Sequence, residues 1–375
     1  MNTKDTKGNH ILLCLAGLLL LLSLGGSLAA RQLPGFANLY SHSVYRLSAR
    51  IFYTLDGWLP FSLSELLLYL LLLSLLLLCF RLYRPLSEDA HADREEKRRA
   101  RRRLARRYAE RLLFLLSLLF FLYTFHCGIN YYRDSFSIEA GIQPRSYSAA
   151  ELRTLCGQLA EELSEEEAFS SSEAADFAFL RSAGKEGQRA MSRLGTRYPR
   201  LRLHYPYPKP LLLSRILSVQ QLTGIYSPFT VEANYNREMP RYSIPFTICH
   251  ELSHLAGYMQ EEEANFIAFL ACRSSEDPYF RYSASLSAFV YAGNELAKAD
   301  PKSYHTLYQT LPASVRQEFS REQEFWDHYA SAVSDAADRL NDHYLKANGQ
   351  SAGTKSYGQV VDLLLWYYLD AEEGK

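Results

Sequence analysis

Three long apolar runs dominate the first third of the 375-residue chain, at residues 11–30, 61–80 and 112–128. An α-helix rises about 1.5 Å per residue, so roughly 20 apolar residues cross the hydrocarbon core of a bilayer. Glu65 is the single formal charge within the three runs. The pattern therefore predicts three transmembrane helices in a membrane region that covers residues 1–129.

The first run has an alternative interpretation. Residues 27–30 (Ser-Leu-Ala-Ala) resemble the small-residue cleavage site of a signal peptide, although the run is longer than the apolar core of an ordinary signal peptide. A retained span is therefore favoured. Cleavage would leave the sidedness of the remaining chain unchanged, because the other two spans define the same orientation.

Beyond residue 130 the apolar positions follow a helical spacing with polar residues between them. This spacing recurs at residues 177–194, 278–299 and 313–345, and Ser148 with Glu151 forms a capping-box pattern at another helix start. The soluble part, residues 130–375, is long enough for one domain with its own core. Its fold class is predicted as mainly α with a small β element.

The small β element is predicted at Tyr226–Asn234. This segment follows Gly224 and is rich in aromatic and β-branched residues, as strands are. Pro228 lies inside it and removes one backbone donor, so an ordinary loop is an equally good interpretation.

Basic residues are concentrated between the second and third runs. Residues 81–111 hold 12 Lys and Arg, whereas residues 31–60 hold three. Positively charged loops stay in the cytoplasm, so the Arg-rich loop 81–111 is predicted to be cytoplasmic and residues 130–375 extracytoplasmic. The chain is thus expected in the plasma membrane as a multi-pass protein, with the lipid bilayer as a partner.

The net charge of zero conceals two oppositely charged parts. Residues 1–129 hold 17 Lys and Arg against 9 Asp and Glu, and the rest of the chain holds 24 against 32. An acidic C-terminal part repels DNA and RNA, so no nucleic-acid partner is expected. The six cysteines include no CxxC pair, and therefore a cysteine zinc site or a redox motif is not predicted.

The strongest chemical signal is the sequence His250-Glu251-Leu252-Ser253-His254. Residues i and i+4 share one face of a helix, so His250 and His254 can hold one Zn²⁺ while Glu251 acts on the attacking water. This HExxH pattern is the signature of zinc peptidases. Glu251 is the only formal charge in the surrounding helix, whereas a surface helix with two incidental histidines would be amphipathic. Pro245 suits the first helical turn, and Gly257 suits the helix end.

A zinc peptidase needs a third protein ligand, and Glu261 is the first choice. Glu261 and Asn265 are four residues apart on the next predicted helix, so both face the same way. In zincins of this type the Glu binds zinc and the later residue hydrogen-bonds a ligand histidine. Glu263 is the alternative ligand, and it could instead orient a histidine or lie in solvent. The helix dipole alone would explain two of the three glutamates at this helix start without a metal.

These residues predict peptide hydrolysis, with Glu251 as the general base. A further hydrogen-bond donor must stabilise the tetrahedral oxyanion, and Tyr357 is the first candidate, followed by Tyr344 and His343. The strand at Tyr226–Asn234 is the candidate edge on which an extended peptide or membrane-protein substrate would add. A catalytically silent receptor or scaffold that retains zinc is the alternative function.

Five segments carry a resemblance to a known family: Cys127–Arg133, Ser227–Asn234, Pro245–His254, Glu261–Phe266 and Lys355–Val361. Together they resemble the bacterial membrane proteins of domain-of-unknown-function family 3810, from the second or third span onward. Ser253 stands where the family pattern leads us to expect Ala. The resemblance implies a membrane-anchored, zincin-like HExxH domain without an established substrate. A weaker similarity, limited to HExxH and the following ExxAN helix, is to membrane gluzincins that process lipidated or misfolded membrane proteins.

Overall fold

The computed structural model describes residues 3–83, 94–170, 174–348 and 357–371, and these are mainly helical with one small sheet. The helices of the N-terminal part are α1 (Thr3–Gln32), α2 (Phe36–Tyr40), α3 (Arg46–Asp56), α4 (Leu63–Tyr83) and α5 (Arg94–His126), with a π-helical turn at Ser41–Tyr45. They are followed by α6 (Phe136–Glu139), α7 (Ala149–Glu165), α8 (Phe177–Arg197), β1 (Lys209–Pro210), α9 (Arg215–Val219), β2 (Gly224–Ser227) and β3 (Glu232–Tyr235). The remaining helices are α10 (Ser243–Leu255), α11 (Glu261–Arg273), α12 (Pro278–Ala299), α13 (Pro301–Thr310), α14 (Ala313–Tyr329), α15 (Ala332–Ala347) and α16 (Tyr357–Leu365).

Among the described residues, three segments are long and apolar enough to cross a membrane: His10–Gln32, Leu63–Phe80 and Leu104–Tyr132. The three predicted apolar helices are therefore confirmed, although the third begins earlier than expected. Residues 94–111 had been predicted as part of a loop, and this is wrong, because they form the first half of α5 and continue into the third span. Ion pairs between residues four apart, such as Arg106–Glu110 at 2.9 Å, support that helix. Residues 84–93 of the predicted loop lie outside the described part of the chain.

The segment between the first two spans is a structural element that the apolar pattern did not predict. Tyr45 of the π-helical turn and Ala49 and Tyr53 of α3 are buried in the same core as the C-terminal helices. The Tyr45 hydroxyl donates a hydrogen bond of 2.8 Å to the carbonyl of Leu255 at the end of α10. The predicted boundary at residue 129 separates the chain at the third span, but residues of α2 and α3 share the core of the part that follows it.

The sheet has the strand order β1-β3-β2, with β1 parallel and β2 antiparallel to β3. The single strand predicted at Tyr226–Asn234 is instead a hairpin, in which Tyr226 pairs with Ala233. Pro228 begins the turn, and Val231 has a φ of 54°, which ordinary strand residues do not adopt. The hairpin leaves β2 as an edge strand of the sheet.

The predicted helical spacings agree well with the C-terminal helices. Ser148 and Glu151 form the expected capping box at the start of α7, and the spacing at 278–299 coincides with α12. The helical spacing at 313–345 corresponds to two helices, because α14 ends at Tyr329 and Ser331 caps a new helix, α15. A side-chain cap satisfies the free N–H groups of a helix start, so it marks a break that apolar spacing alone does not show.

Candidate metal centre

Helix α10 is buried around the HExxH residues. Pro245 lies in its first turn, the helix ends at Leu255, and Gly257 follows with a φ of 92°. Such a left-handed position favours glycine, so the predicted end signal acts two residues after the helix. Glu251 is only 4 % exposed. In a helix as buried as this one, polar side chains such as Glu251 and His254 are tolerated only where they have partners in the protein interior.

The ligand atoms of His250, His254 and Glu261 lie within 4.8 Å of one another. The Nε2 atoms of the two histidines are 3.4 Å and 3.6 Å from the carboxylate oxygens of Glu261. Ligand atoms that are about 2.0–2.1 Å from one tetrahedral ion lie about 3.4 Å apart, so these separations suit Zn²⁺. Two imidazoles and one carboxylate are also a common zinc donor set. The residues present therefore fit a zinc ion.

Both histidines are held in the orientation that a metal ligand needs. Nδ1 of His250 lies 2.8 Å from Oδ1 of Asn265, which also accepts a 3.2 Å hydrogen bond from the Tyr291 hydroxyl. Nδ1 of His254 lies 2.8 Å from the carbonyl oxygen of Tyr258. Both partners are acceptors, so each Nδ1 carries a proton, and a neutral imidazole in this tautomer presents the Nε2 lone pair to the cluster. Asn265 thus occupies the position expected of it beside a ligand histidine.

The ionisation of the three residues follows from their mutual contacts. Burial lowers the pKa of His254 to about 4, and the neighbouring His250 contributes in the same direction. Burial raises the pKa of Glu261, but the hydrogen bond from His250 and the charges of both histidines outweigh it and lower that pKa to about 2. For His250, the hydrogen bond and charge of Glu261 outweigh burial and raise the pKa. An anionic Glu261 beside imidazoles is the charge state that a divalent cation favours.

Glu251, between the two histidines in sequence, lies against strand β2. A Cβ atom on Gly224 would lie 2.5 Å from Oε1 of Glu251, so only glycine allows this close approach. The other oxygen, Oε2, is buried and has no hydrogen-bond partner among the described residues. Burial raises the pKa of Glu251 to about 8, although the charge of His250 and the backbone N–H of Tyr226 oppose the rise. A buried carboxylate oxygen without a partner, on a residue with a raised pKa, is one of the features by which candidate functional sites are recognised.

Glu263, the alternative third ligand, is engaged elsewhere. Its carboxylate accepts hydrogen bonds from the backbone N–H of Ser137 at 3.0 Å and from the Ser137 hydroxyl at 2.6 Å. These hydrogen bonds hold the start of helix α6 against helix α11. The described structure thus brings Glu261, and not Glu263, to the two histidines.

The three candidate oxyanion donors occupy different environments. Tyr357 is the first residue of α16, and its side chain lies outside the described part of the chain. His343 is exposed on α15 and contacts the carbonyl of Arg339 at 2.6 Å. The hydroxyl of Tyr344 lies 3.4 Å from the Tyr131 hydroxyl and 3.4 Å from Sγ of Cys127.

Tyr344 lies near the ligand helix as well. Cys127 also contacts Sδ of Met259 at 3.7 Å, and Gln260 donates a 3.1 Å hydrogen bond to the carbonyl of Tyr131. Met259 and Gln260 immediately precede Glu261. Burial raises the pKa of Tyr344, so its hydroxyl keeps a proton that it can donate.

A buried ion pair supports the turn after α10, and sequence reasoning did not identify it. Arg133 and Glu139 form a 2.9 Å ion pair, and the guanidinium lies 4.0 Å from the centre of the Tyr258 ring. The Tyr258 hydroxyl also donates to Glu139, at 2.5 Å. This network positions the Tyr258 carbonyl that holds His254. Arg133 and Glu139 are close in sequence, but their partner Tyr258 is distant, so only the family resemblance at Arg133 could have drawn attention to them.

In the described part of the chain, the fold and the site define a mainly helical protein with three potential membrane-spanning helices and a His-His-Glu cluster that could hold a metal ion. Residues 40–365 match the family described as protein of unknown function (DUF3810), so the chain belongs to that family. The match begins within α2 and therefore includes the segment that shares the core with α10. Comparison with curated proteins and with solved structures gives no match.

Proposed function

We propose that this protein is a membrane-anchored zinc metallopeptidase whose extracytoplasmic domain hydrolyses peptide bonds. The observation that carries the proposal is the convergence of His250, His254 and Glu261 beside a buried Glu251 with one unpartnered oxygen. A structural zinc site would not require such a carboxylate, because its four protein ligands complete the coordination. Here three ligands and a neighbouring base favour a catalytic site.

The roles of the residues follow from their contacts. His250, His254 and Glu261 hold the ion, and bound Zn²⁺ supplies a Lewis acid that acidifies water and polarises a carbonyl. Glu251 accepts the proton of the attacking water at Oε2 and delivers it to the leaving amine. Asn265 and the Tyr258 carbonyl keep the two imidazoles in place through their Nδ1–H groups.

The substrate would bind along β2. This strand is at the edge of the sheet, and its first residue, Gly224, lies against Glu251. An extended peptide that adds to such an edge gains main-chain hydrogen bonds regardless of its sequence. Its scissile bond would then be held beside Glu251. Tyr344 is the candidate that the described residues favour as the oxyanion donor, because it is protonated and lies near the start of α11.

The proposed orientation has support from the contacts between distant parts of the chain. Tyr45, between the first two spans, lies 3.2 Å from the hydroxyl of Tyr226 in the C-terminal part. If the three helices span the bilayer as proposed, this contact requires the segment between the first two spans and the C-terminal part to share one side of the membrane. The Arg-rich segment lies across the third span from them and has the charge of a cytoplasmic segment.

Metal content provides the first test. The full-length protein, purified in detergent and supplied with zinc, should contain close to one Zn²⁺ per chain. His250→Ala and His254→Ala should lose it, whereas His305→Ala, a matched change at an exposed histidine of α13, should keep it. Equal metal content in all four proteins would contradict the metal centre.

Catalysis requires a separate test. Glu251→Gln should retain zinc while any peptidase rate falls by about 10²–10⁴-fold, because the base is lost and the ligands remain. Glu324→Gln, at an exposed position of α14, is the matched control and should leave the rate unchanged. Normal zinc binding with no hydrolysis of membrane-anchored or soluble peptides by the wild type would favour the silent receptor instead. Normal hydrolysis by Glu251→Gln would exclude the proposed mechanism.

A further inference from the structure

Helix α3 carries an exposed apolar stripe. Leu47, Ile51 and Leu55 are 63 %, 53 % and 68 % exposed, and Trp58 just beyond the helix is 77 % exposed. These positions are three or four residues apart, so their side chains form one continuous line along the helix. Four large apolar side chains in a line are unusual on a surface that faces only water.

The opposite face of the same helix is part of the protein core. Ala49 and Tyr53 are buried, as is Tyr45 immediately before the helix, and Tyr45 contacts the end of α10 through the Leu255 carbonyl at 2.8 Å. Helix α3 therefore lies between the protein core and the environment that the exposed apolar stripe faces.

Both ends of this segment are tied to membrane spans. The first span ends at Gln32, a few residues before α2, and the second begins at Leu63, a few residues after Trp58. The start of the second span is fixed to the sheet, because the Glu232 carboxylate accepts hydrogen bonds from the N–H groups of Leu63 at 2.9 Å and Ser64 at 2.8 Å. A helix tethered in this way at both ends must lie at the level where the spans leave the bilayer.

A second exposed apolar group adjoins the same span. Glu65 accepts hydrogen bonds from the backbone N–H groups of Leu212 at 2.9 Å and Leu213 at 2.7 Å. Their side chains are 54 % and 50 % exposed, and Ile216 nearby is 46 % exposed. Two separate apolar surfaces thus lie next to the membrane entry of the spans.

We infer that α3 with Trp58 is an in-plane interfacial helix whose apolar stripe lies in the headgroup and acyl-chain boundary of the bilayer. Leu212, Leu213 and Ile216 enter the same boundary. The pattern matches the physical requirements of such a helix: an apolar face, a tryptophan at the interface, and an exposed basic residue, Arg50, beside the stripe for lipid phosphates.

This placement has a consequence for the metal centre. A helix is about 10–12 Å across, so the end of α10, which contacts Tyr45 immediately before α3, lies roughly one helix diameter above the lipid boundary. If the proposed peptidase activity holds, on which this step rests, the substrates are extracytoplasmic segments close to the membrane surface. Soluble peptides remote from a bilayer would be poor substrates.

Tryptophan fluorescence in liposomes tests the inference on the full chain. The protein has three tryptophans, so Trp326→Phe with Trp366→Phe leaves Trp58 as the reporter. A tryptophan-free background with Ile51→Trp gives a second reporter. Lipids brominated near the headgroup should remove most of the fluorescence of both reporters, and lipids brominated at the bilayer centre should remove less.

Two matched reporters calibrate the result. Phe120→Trp, within the third span, should respond most to bromine at the bilayer centre, and Thr306→Trp, exposed on α13, should respond only to aqueous iodide. The inference is overturned if Trp58 and Ile51→Trp behave like Thr306→Trp. It is also overturned if neither quencher reaches them, because a second protein chain would then cover the stripe. Adding His250→Ala should change none of these signals, so the outcome is independent of zinc and of peptidase activity.

Discussion

The most informative perturbation of the metal centre is the removal of the acceptor beside His250. Asn265 is 4 % exposed, and its Oδ1 accepts from Nδ1 of His250 at 2.8 Å and from the Tyr291 hydroxyl at 3.2 Å. Asn265→Leu keeps a side chain of similar size but provides no acceptor. The Nδ1–H group of His250 then loses its partner in the interior, or the proton moves to Nε2 and blocks the ligand atom.

The expected size of the effect follows from this contact. An unpaired buried donor costs about 1–3 kcal/mol. Loss of the residue that orients a ligand histidine typically weakens metal binding by about 10–100-fold, or roughly 1.4–2.7 kcal/mol. Tyr291→Phe removes only the second hydrogen bond to Asn265 and should weaken zinc binding by less than about tenfold. Asn265→Asp retains an acceptor and should bind zinc at least as tightly as the wild type.

The assay is competition for zinc between a chelator of known affinity and the purified full-length protein. Asn341→Leu, at an exposed position of α15, is the matched control and should bind zinc like the wild type. Circular dichroism of each variant separates a change in metal binding from unfolding. If Asn265→Leu binds zinc with wild-type affinity while folded, the proposed orientation of His250 is refuted.

Three further outcomes are expected. Glu261→Gln should weaken zinc binding, whereas Glu263→Gln should leave it near normal. If metal analysis shows the reverse, Glu263 is the third ligand. Gly224→Ala should lower peptidase rates while zinc is retained, because its Cβ would lie 2.5 Å from Oε1 of Glu251. Such overpacking costs about 1–3 kcal/mol. An unchanged rate would show that β2 is not involved in catalysis. A reporter active only outside the cytoplasm should work at the C-terminus and fail in the Arg-rich segment, and the opposite pattern would invert the proposed topology.

Local sequence was sufficient for the elements whose partners are close in the chain. The three apolar helices, the capping box at Ser148 and the extent of α12 all follow from spacing within one element. The same holds for the shared faces of His250 with His254 and of Glu261 with Asn265, because the helix period alone brings residues four apart together.

Sequence could not distinguish Glu261 from Glu263, because both begin the same helix. The distinction depends on Ser137, which lies more than 100 residues away in sequence and donates hydrogen bonds to the Glu263 carboxylate. The hairpin in place of one strand, and its contact with Glu251, likewise depend on pairing between separate segments.

Helix α3, between the first two spans, shows most clearly what sequence alone cannot decide. Leu47, Ile51 and Tyr53 occur on the same short helix, directly after Tyr45, and sequence alone does not tell which face of the helix packs against protein. Tertiary structure decided this, because the end of α10 provides a carbonyl for Tyr45 and leaves Leu47 and Ile51 exposed. Spacing along a chain encodes which residues share a face, whereas the environment of that face is set by whichever distant surface packs against it.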